Sequence, residues 1–309
     1  MTVSMRARHG AWRAAGRLRH LPGVARLLAG LESGRGWTRF TPTAASATAV
    51  TLDASEAGVA LESRAIEMLR EHGVVVLTGL ADTVLVAAAR EEAARFLAPF
   101  EALWAQGARG EGVAAGVRWI ARRKGEIHAT ADPRPMVCLA TEEGDNGGNI
   151  GIIRADELAR ARGLPALAAL IKAPAQATLA AIVARLHSTG ERTFNLMKKP
   201  GVTRPQTAHV DTTGSFFLAY QYLNDMREPA DGPYAYLPGS HRREDLLARE
   251  LLLNRLAGRR PRDLPALAGR LVPMTAPAGA IVLSCQRGVH GALPQRAGHV
   301  RWALQTTFV

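Results

Sequence analysis

Hydrophobic positions in the first half of the chain recur mostly at helical spacing. Residues 56–72 present an apolar face with a period near 3.6, so they predict a helix with Ser55 as its N-cap. The run 74–77 (VVVL) lies between two glycines and predicts a buried strand. Further helices are expected over 82–96, with Asp82 as the cap, over 156–162 and over 174–187, and helical patches over 113–123.

From residue 191 onward the pattern changes to short extended segments separated by turn sequences such as 231–233 (DGP). One helical stretch, 244–256, interrupts them. Many short strands in one region predict an antiparallel sandwich or barrel. The predicted strands are 193–198, 215–223, 234–237, 271–275, 280–285 and 300–308.

Two parts of unequal size follow from this pattern. We expect residues 1–55 to be a basic N-terminal helical extension and linker, and residues 56–309 to be a single domain whose sheet core covers about 191–309. The extension has no acidic residue before Glu32, so an amphipathic segment lying on a membrane is one interpretation of it. A helix or arm that packs on the domain is the interpretation we prefer.

Composition is that of an ordinary globular protein, with 47% hydrophobic and 21% charged residues. We recognise no apolar run long enough to cross a bilayer, so no transmembrane segment is expected. Only Cys138 and Cys285 could form a disulfide, and they lie far apart in sequence. This count argues against a disulfide scaffold and fits a reducing, cytoplasmic location.

The formal net charge is +12, and arginine supplies nearly all of the positive charge. Genomic bias toward arginine and alanine is the explanation that we prefer. We find no nucleic-acid-binding motif and expect no nucleic-acid partner. The charge also favours a small-molecule substrate that is anionic or tethered to an acidic carrier protein. The oligomeric state is not predicted.

The chemistry is concentrated around His209 and Asp211, two residues apart in an expected extended segment. Residues i and i+2 share one face of a strand, so both side chains can bind one metal ion. His290 is the best candidate for a third ligand, and His241 is its rival. Two imidazoles and one carboxylate leave coordination positions open, an arrangement that suits non-haem Fe(II) in oxygenases.

The order and spacing of several motifs resemble the phytanoyl-CoA dioxygenase family of Fe(II)- and 2-oxoglutarate-dependent oxygenases. These are 71–77 (EHGVVVL), 209–211 (HVD), 220–225 (YQYLND), 231–241 (DGPYAYLPGSH), 279–283 (GAIVL), His290 and Arg301. The resemblance implies an α+β, mainly β fold. Its core would be a double-stranded β-helix, of the jelly-roll or cupin-like type, with N-terminal and flanking helices.

The resemblance also implies roles for individual residues. His209, Asp211 and His290 would be the catalytic iron ligands, and Arg301 would hold the distal carboxylate of the cosubstrate 2-oxoglutarate. A guanidinium suits that task because it stays charged and can bind a carboxylate through two hydrogen bonds. Tyr220 falls where many members have a tryptophan that lines the cosubstrate pocket.

Other residues are weaker candidates. Asn195 and Gln206 are expected to contact cosubstrate or substrate, together with Asn149 on an acidic, glycine-rich loop. Arg296 is a runner-up to Arg301, but it lies in a turn, where a solvated arginine is usual. His299 shares a strand face with Arg301, and either a cosubstrate-side or a surface role is open. Cys285 is expected to be a small core residue. Ala292 stands where the family often has a small hydroxyl residue.

The predicted function is a dioxygenase that uses Fe(II), 2-oxoglutarate and O2 to hydroxylate an unactivated C–H bond of a small molecule. Desaturation or cyclisation are further outcomes, and bacterial specialised-metabolite biosynthesis is the expected setting. Asp211 favours hydroxylation-type chemistry over halogenation, because related halogenases lack this carboxylate. Two alternatives stay open: a Zn(II)-dependent hydrolase with the same ligands, and a non-catalytic jelly-roll binding module.

Overall fold

The computed structural model describes most of the chain from residue 35 to residue 308. The described ranges are 35–57, 60–105, 112–114, 117–121, 126–130, 137–140, 150–186, 192–200, 206–211, 216–256 and 262–308. The predicted helical extension before residue 35 and the loop that carries Asn149 lie outside these ranges.

Helices occupy mainly the first two thirds of the described chain. They are α1 (Ala54–Ala57), α2 (Leu61–His72), α3 (Thr83–Ala105), α4 (Ala155–Arg162), α5 (Pro165–Ile171), α6 (Pro174–Ala184) and α7 (Glu244–Leu256). Short 3-10 helices cover Arg35–Trp37, Thr48–Val50, Ser240–Arg242 and Pro265–Arg270. The bounds of α7 agree with the sequence pattern, whereas α5 was not predicted.

The strands of the first half are β1 (Thr51–Asp53), β2 (Val74–Thr78), β3 (Gly112–Ala114), β4 (Val117–Ala121), β5 (Glu126–Thr130), β6 (Val137–Ala140) and β7 (Ile150–Ile152). Those of the second half are β8 (Arg192–Pro200), β9 (Phe217–Tyr222), β10 (Tyr234–Tyr236), β11 (Val272–Pro273), β12 (Ile281–Cys285), β13 (His290–Ala292) and β14 (Val300–Phe308).

Two predictions about the first helices have opposite outcomes. Asp82 does cap α3, because its Oδ1 accepts a hydrogen bond from the Val84 N–H at 2.9 Å. Ser55 does not cap the long helix: α2 begins only at Leu61, and Ser55 lies in the short α1. The Ser55 N–H is itself satisfied by Asp53 Oδ1 at 2.9 Å.

The helical patches predicted over 113–123 are wrong, because β3 and β4 form an antiparallel pair there. β4 also pairs with β5. Helix propensity is a weak preference, and pairing with neighbouring strands overrides it. Residues 35–53, which the pattern places in the extension and linker, also pack in the core: the side chains of Trp37 and Val50 are fully buried.

The described strands form two sheets. The large sheet has the order β1-β2-β12-β9-β14-β8-β7-β6-β5-β4-β3, and the small sheet has the order β11-β10-β13. All pairs are antiparallel except β1 with β2. The predicted α+β fold with a jelly-roll, double-stranded β-helix core is therefore confirmed.

A common core fills the space between the two sheets. The large sheet contributes Val76, Tyr222 and Val282 to it, and the small sheet contributes Tyr234 and Tyr236. The side chains from the large sheet alternate along their strands with residues that face the helices, as the period of two requires. The inward face of the large sheet is therefore the face that can build an enclosed site.

Helices cover the outward face of the large sheet. Helices α2 and α6 pack near β2, β9 and β12, and α3, α4 and α5 pack near β8 and β14. The stretch Pro165–Ala184 is long and apolar enough by composition to cross a membrane, contrary to the expectation from sequence. It is divided into α5 and α6, and Leu167 and Leu179 are fully buried. Packing against the sheet accounts for its apolar character.

Candidate metal centre

Backbone hydrogen bonds bring the two histidines of the site together. The His209 N–H donates to the His290 carbonyl at 2.8 Å, and the His290 N–H donates to the His209 carbonyl at 2.9 Å. The Asp211 N–H donates to the Gln286 carbonyl at 3.1 Å. The segment 206–211 therefore lies beside β13 and beside the turn that precedes β13, although this segment and His290 are distant in sequence.

Each imidazole is oriented by a carbonyl two residues before it. Nδ1 of His209 lies 2.7 Å from the Thr207 oxygen, and Nδ1 of His290 lies 2.9 Å from the Gly288 oxygen. Because a carbonyl only accepts, Nδ1 carries the proton in the neutral form of each imidazole, and Nε2 then keeps its lone pair. Both Nε2 atoms face Asp211, at 3.4 Å from Oδ1 for His209 and 3.6 Å from Oδ2 for His290.

The donor set fits a divalent metal ion. One ligand atom from each of His209, Asp211 and His290 lies within 4.8 Å of the other two. Nε2 of His290 is buried and has no hydrogen-bond partner in the described part of the chain, which is costly for a polar atom unless something binds it. A metal ion that accepts this lone pair would remove the cost, and two imidazoles with one carboxylate suit Fe(II).

The charges of the three groups also suit a cation. Burial raises the pKa of Asp211, but the pull of the two imidazoles outweighs it and leaves this pKa well below its usual range. Burial lowers the pKa of His290. Burial also lowers the pKa of His209, but the neighbouring Asp211 carboxylate and the Thr207 carbonyl outweigh burial and raise this pKa overall. At neutral pH the site therefore holds an ionised carboxylate beside a neutral His290.

An aromatic wall packs against the histidines. The Tyr234 ring stacks on His290 at 5.6 Å between centroids and on Tyr220 at 4.9 Å. The Tyr234 hydroxyl hydrogen-bonds with Ser284 Oγ at 3.0 Å and accepts from Gln286 Nε2 at 3.3 Å. This wall holds the His290 ring and keeps water away from one side of the site.

Gly288 is tightly enclosed beside His290. A Cβ atom at this position would lie 1.8 Å from the Tyr236 hydroxyl, and that hydroxyl donates to the Cys285 carbonyl at 2.9 Å. Any side chain at position 288 must therefore displace Tyr236, which is fully buried.

We expect Gly288→Ala to lower the free energy of unfolding by about 3 kcal/mol, through overpacking and the loss of a buried hydrogen bond. Denaturant unfolding followed by circular dichroism measures the change. Gly269→Ala is the matched control, since a Cβ atom there meets none of the described residues within 4 Å. Equal unfolding midpoints for the two variants would contradict the expectation.

A chain of polar side chains crosses the inward face of the large sheet. Asn195 Nδ2 donates to Gln305 Oε1 at 3.2 Å, and Gln305 Nε2 donates to the Tyr220 hydroxyl at 3.1 Å. Burial raises the pKa of Tyr220 to about 12, with a further contribution from Asp211, while Arg301 opposes it. The Tyr220 hydroxyl therefore interacts electrostatically with both Asp211 and Arg301. Sequence reasoning missed Gln305, which only the strand register connects to Tyr220.

The two candidate arginines have different surroundings. Arg301 is partly buried on β14, and its Nη1 donates to the Gly232 carbonyl at 2.6 Å. Among the described residues, no carboxylate forms an ion pair with it. Arg296 is 54% exposed and is already paired with Asp231 at 2.8 Å. Arg301 therefore has hydrogen-bonding capacity left for an anion, whereas Arg296 is neutralised.

The remaining candidates lie outside the three-residue cluster. His241 donates from Nε2 to the Arg70 carbonyl at 3.2 Å, and burial lowers its pKa to about 4. His299 faces Asp231, with 3.7 Å between Nδ1 and Oδ1. The Gln206 N–H donates to the Ala292 carbonyl at 2.9 Å, and its side chain makes no hydrogen bond to the described residues. Cys285 is buried in β12.

A double-stranded β-helix with an inward His, Asp, His cluster is typical of mononuclear non-haem iron oxygenases. The chain belongs to the phytanoyl-CoA dioxygenase family, whose model matches residues 69–303. It is thus an enzyme of the family that uses Fe(II), 2-oxoglutarate and O2. The family predicted from the ordered motifs is confirmed.

Several solved structures are similar to this chain at low identity. AviO1 from Streptomyces viridochromogenes Tue57 is 17% identical with a TM-score of 0.49, over 80% of this chain and 94% of that one. EvdO2 from Micromonospora carbonacea var. aurantiaca, in complex with 2-oxoglutarate, is 18% identical with a TM-score of 0.47, over 79% and 88%.

The non-haem α-ketoglutarate-dependent epimerase SnoN from nogalamycin biosynthesis is 18% identical with a TM-score of 0.44, over 81% of this chain and 83% of that one. Comparison with curated proteins gives no match.

Proposed function

We propose that this enzyme hydroxylates an unactivated C–H bond of a small molecule, with His209, Asp211 and His290 as its iron ligands. The observation that carries the proposal is the convergence of two imidazole Nε2 atoms on Asp211, within 4.8 Å. Each imidazole is held in the ligand-competent tautomer by its own carbonyl partner. Iron bound there with 2-oxoglutarate would supply the oxidising power that breaks a C–H bond with O2.

The surrounding residues bind and orient. Arg301 would take the distal carboxylate of 2-oxoglutarate, because it is partly buried and no carboxylate of the described residues neutralises it. Tyr220 and Tyr234 would wall the pocket and exclude water. Gln206 would offer its side-chain amide to cosubstrate or substrate. Asn195 would act indirectly, by holding Gln305, because its side-chain amide donates a hydrogen bond to Gln305.

Hydroxylation-type chemistry is proposed over halogenation because of Asp211. A carboxylate ligand at this position fills the site that a halide would need, so halogenation is disfavoured. The charge of +12 supports an anionic or carrier-tethered substrate, and the arginine-rich composition supports a role in bacterial specialised metabolism. The two cysteines support a cytoplasmic location.

The test begins with anaerobic protein loaded with Fe(II) and titrated with 2-oxoglutarate. We expect the weak visible charge-transfer band of the chelate, and succinate release once O2 and a substrate are admitted. Mass spectrometry of the organic product then decides the reaction type: gain of one oxygen atom supports hydroxylation, and loss of two hydrogens indicates desaturation or cyclisation.

The same experiment separates the two rival functions. Turnover with Zn(II) in the absence of O2 would support a hydrolase and contradict the proposal. Bound iron without a chelate band and without succinate would indicate a binding module. The protein without added metal ion or 2-oxoglutarate and the variant His209→Ala serve as the negative controls.

A further inference from the structure

We propose that Lys199 and Arg301 together form a two-cation pocket that binds the distal carboxylate of the 2-oxo acid cosubstrate. This inference rests on the proposed function and names a second binding residue for its cosubstrate. Lys199 lies on β8, and only four lysines occur in a chain whose positive charge is otherwise arginine: Lys124, Lys172, Lys198 and Lys199.

Strand register places the two cations on the same face. Lys199 and Arg301 are directly opposite each other in the antiparallel pair of β8 and β14. Directly paired residues point to the same side of a sheet, with Cβ atoms about 5 Å apart. Gln305 lies four residues after Arg301, on the same face, and donates to Tyr220. Both cations therefore face the interior that holds the candidate metal centre.

The side chain of Lys198, the residue before Lys199, lies on the opposite face of β8. Its Nζ forms an ion pair with Glu101 of α3 and lies 5.2 Å from the centroid of the Trp302 ring. Both partners belong to the outer, helix-covered side of the sheet. Two adjacent lysines thus have different surroundings: Lys198 is neutralised on the outside, and Lys199 lies inside beside a second cation.

Burial without a counter-ion makes the pair suited to an anion. Lys199 is 4% exposed, and among the described residues no carboxylate pairs with it or with Arg301. Desolvation and the neighbouring Arg301 lower the pKa of Lys199 to about 7. Among the described residues, the other titratable groups that interact with the two cations are the hydroxyls of Tyr220 and Tyr222 and the imidazole of His299. A carboxylate bound here would supply the missing negative charge.

The arrangement predicts how the pocket selects its ligand. A 2-oxo acid with a second carboxylate can place that group between Lys199 and Arg301, while its other end reaches the metal ligands. A monocarboxylic 2-oxo acid of the same length leaves both cations unneutralised. Lys199 would therefore contribute to the affinity for 2-oxoglutarate and not to that for 2-oxopentanoate.

The experiment is calorimetric titration of both acids into the full chain loaded with redox-inert Mn(II), using Lys199→Met, Lys199→Arg and the control Lys198→Met. We expect Lys199→Met to weaken 2-oxoglutarate binding about tenfold or more, and 2-oxopentanoate binding by less than about twofold. Lys199→Arg keeps most of the affinity, and Lys198→Met leaves both affinities unchanged. Thermal melting of each variant checks that it is folded.

Proton uptake gives a second readout that a structural role would not change. At about pH 8 the Lys199 amine is mostly neutral, and an anion beside it raises its pKa, so binding takes up a proton. Titrations in buffers with different ionisation enthalpies measure this uptake, which Lys199→Met should abolish.

Unchanged 2-oxoglutarate affinity in Lys199→Met, or equal weakening for both acids, would overturn the inference and leave the proposed function standing. If the unaltered protein binds neither acid, the proposed function falls together with the inference.

Discussion

His290→Ala is expected to abolish tight Fe(II) binding and to lower 2-oxoglutarate turnover by at least about 10³-fold. Changes to the partners of metal ligands typically cost 10–100-fold, and loss of a ligand costs more. The variant leaves only His209 and Asp211, and it empties a buried space beside Tyr234. Metal analysis after gel filtration and a titration with Fe(II) under argon measure the affinity directly.

His241→Ala is the control for this result. His241 is also a buried histidine, 6% exposed, but it donates to the Arg70 carbonyl and lies outside the metal-ligand cluster. Its loss should lower stability while iron binding persists. If His290→Ala retained one iron per chain at unaltered affinity, or if His241→Ala lost it, the ligand set would be wrong.

Arg301→Met is expected to weaken 2-oxoglutarate binding by about 10²-fold or more while Fe(II) binding persists. Truncating one partner of a buried, charge-assisted pair costs about 2–5 kcal/mol. Because Arg301 is partly buried and none of the described carboxylates neutralises it, this loss should appear mainly as cosubstrate affinity, and the lost hydrogen bond to the Gly232 carbonyl should appear as stability. Anaerobic titration followed by the visible chelate band measures it.

Arg301→Lys tests the geometry, because a lysine keeps the positive charge but lacks the planar guanidinium. The 2-oxoglutarate affinity of Arg301→Lys should therefore lie between that of the unaltered protein and that of Arg301→Met. Arg296→Met is the matched control: its guanidinium is already paired with Asp231 and Glu228 in an exposed turn. A larger loss for Arg296→Met than for Arg301→Met would reverse the assignment.

These two results separate the parts of the site. Loss of iron with His290→Ala tests the metal centre, and loss of 2-oxoglutarate with iron retained tests the cosubstrate pocket. The Lys199 variants then divide the pocket between two cations that the register places opposite each other. If the unaltered protein bound iron but not 2-oxoglutarate, it would have the fold and the metal site of an oxygenase without the cosubstrate.

Half of the described strands, namely β2, β8 to β12 and β14, could be predicted from the sequence because they have local signals, whereas β1, β3 to β7 and β13 were not predicted. Alternation and β-branched residues predicted β14 with its observed bounds, and a run of apolar residues between glycines predicted β2 to within one residue. The helix α7 was predicted with the same bounds. The weakest predictions concerned 113–123, where pairing between strands decides the structure and helix propensity does not.

The sequence by itself determined that His209 and Asp211 share a face, because a period of two is a property of any extended segment. It also placed His290 and Arg301 in the order that the family requires. Only the tertiary structure decided which atoms meet: the backbone bonds between His209 and His290, the Gly288 contact with Tyr236, and the pairing of Lys199 with Arg301. These contacts join residues far apart in the chain, so strand register and packing specify them, and no local pattern does.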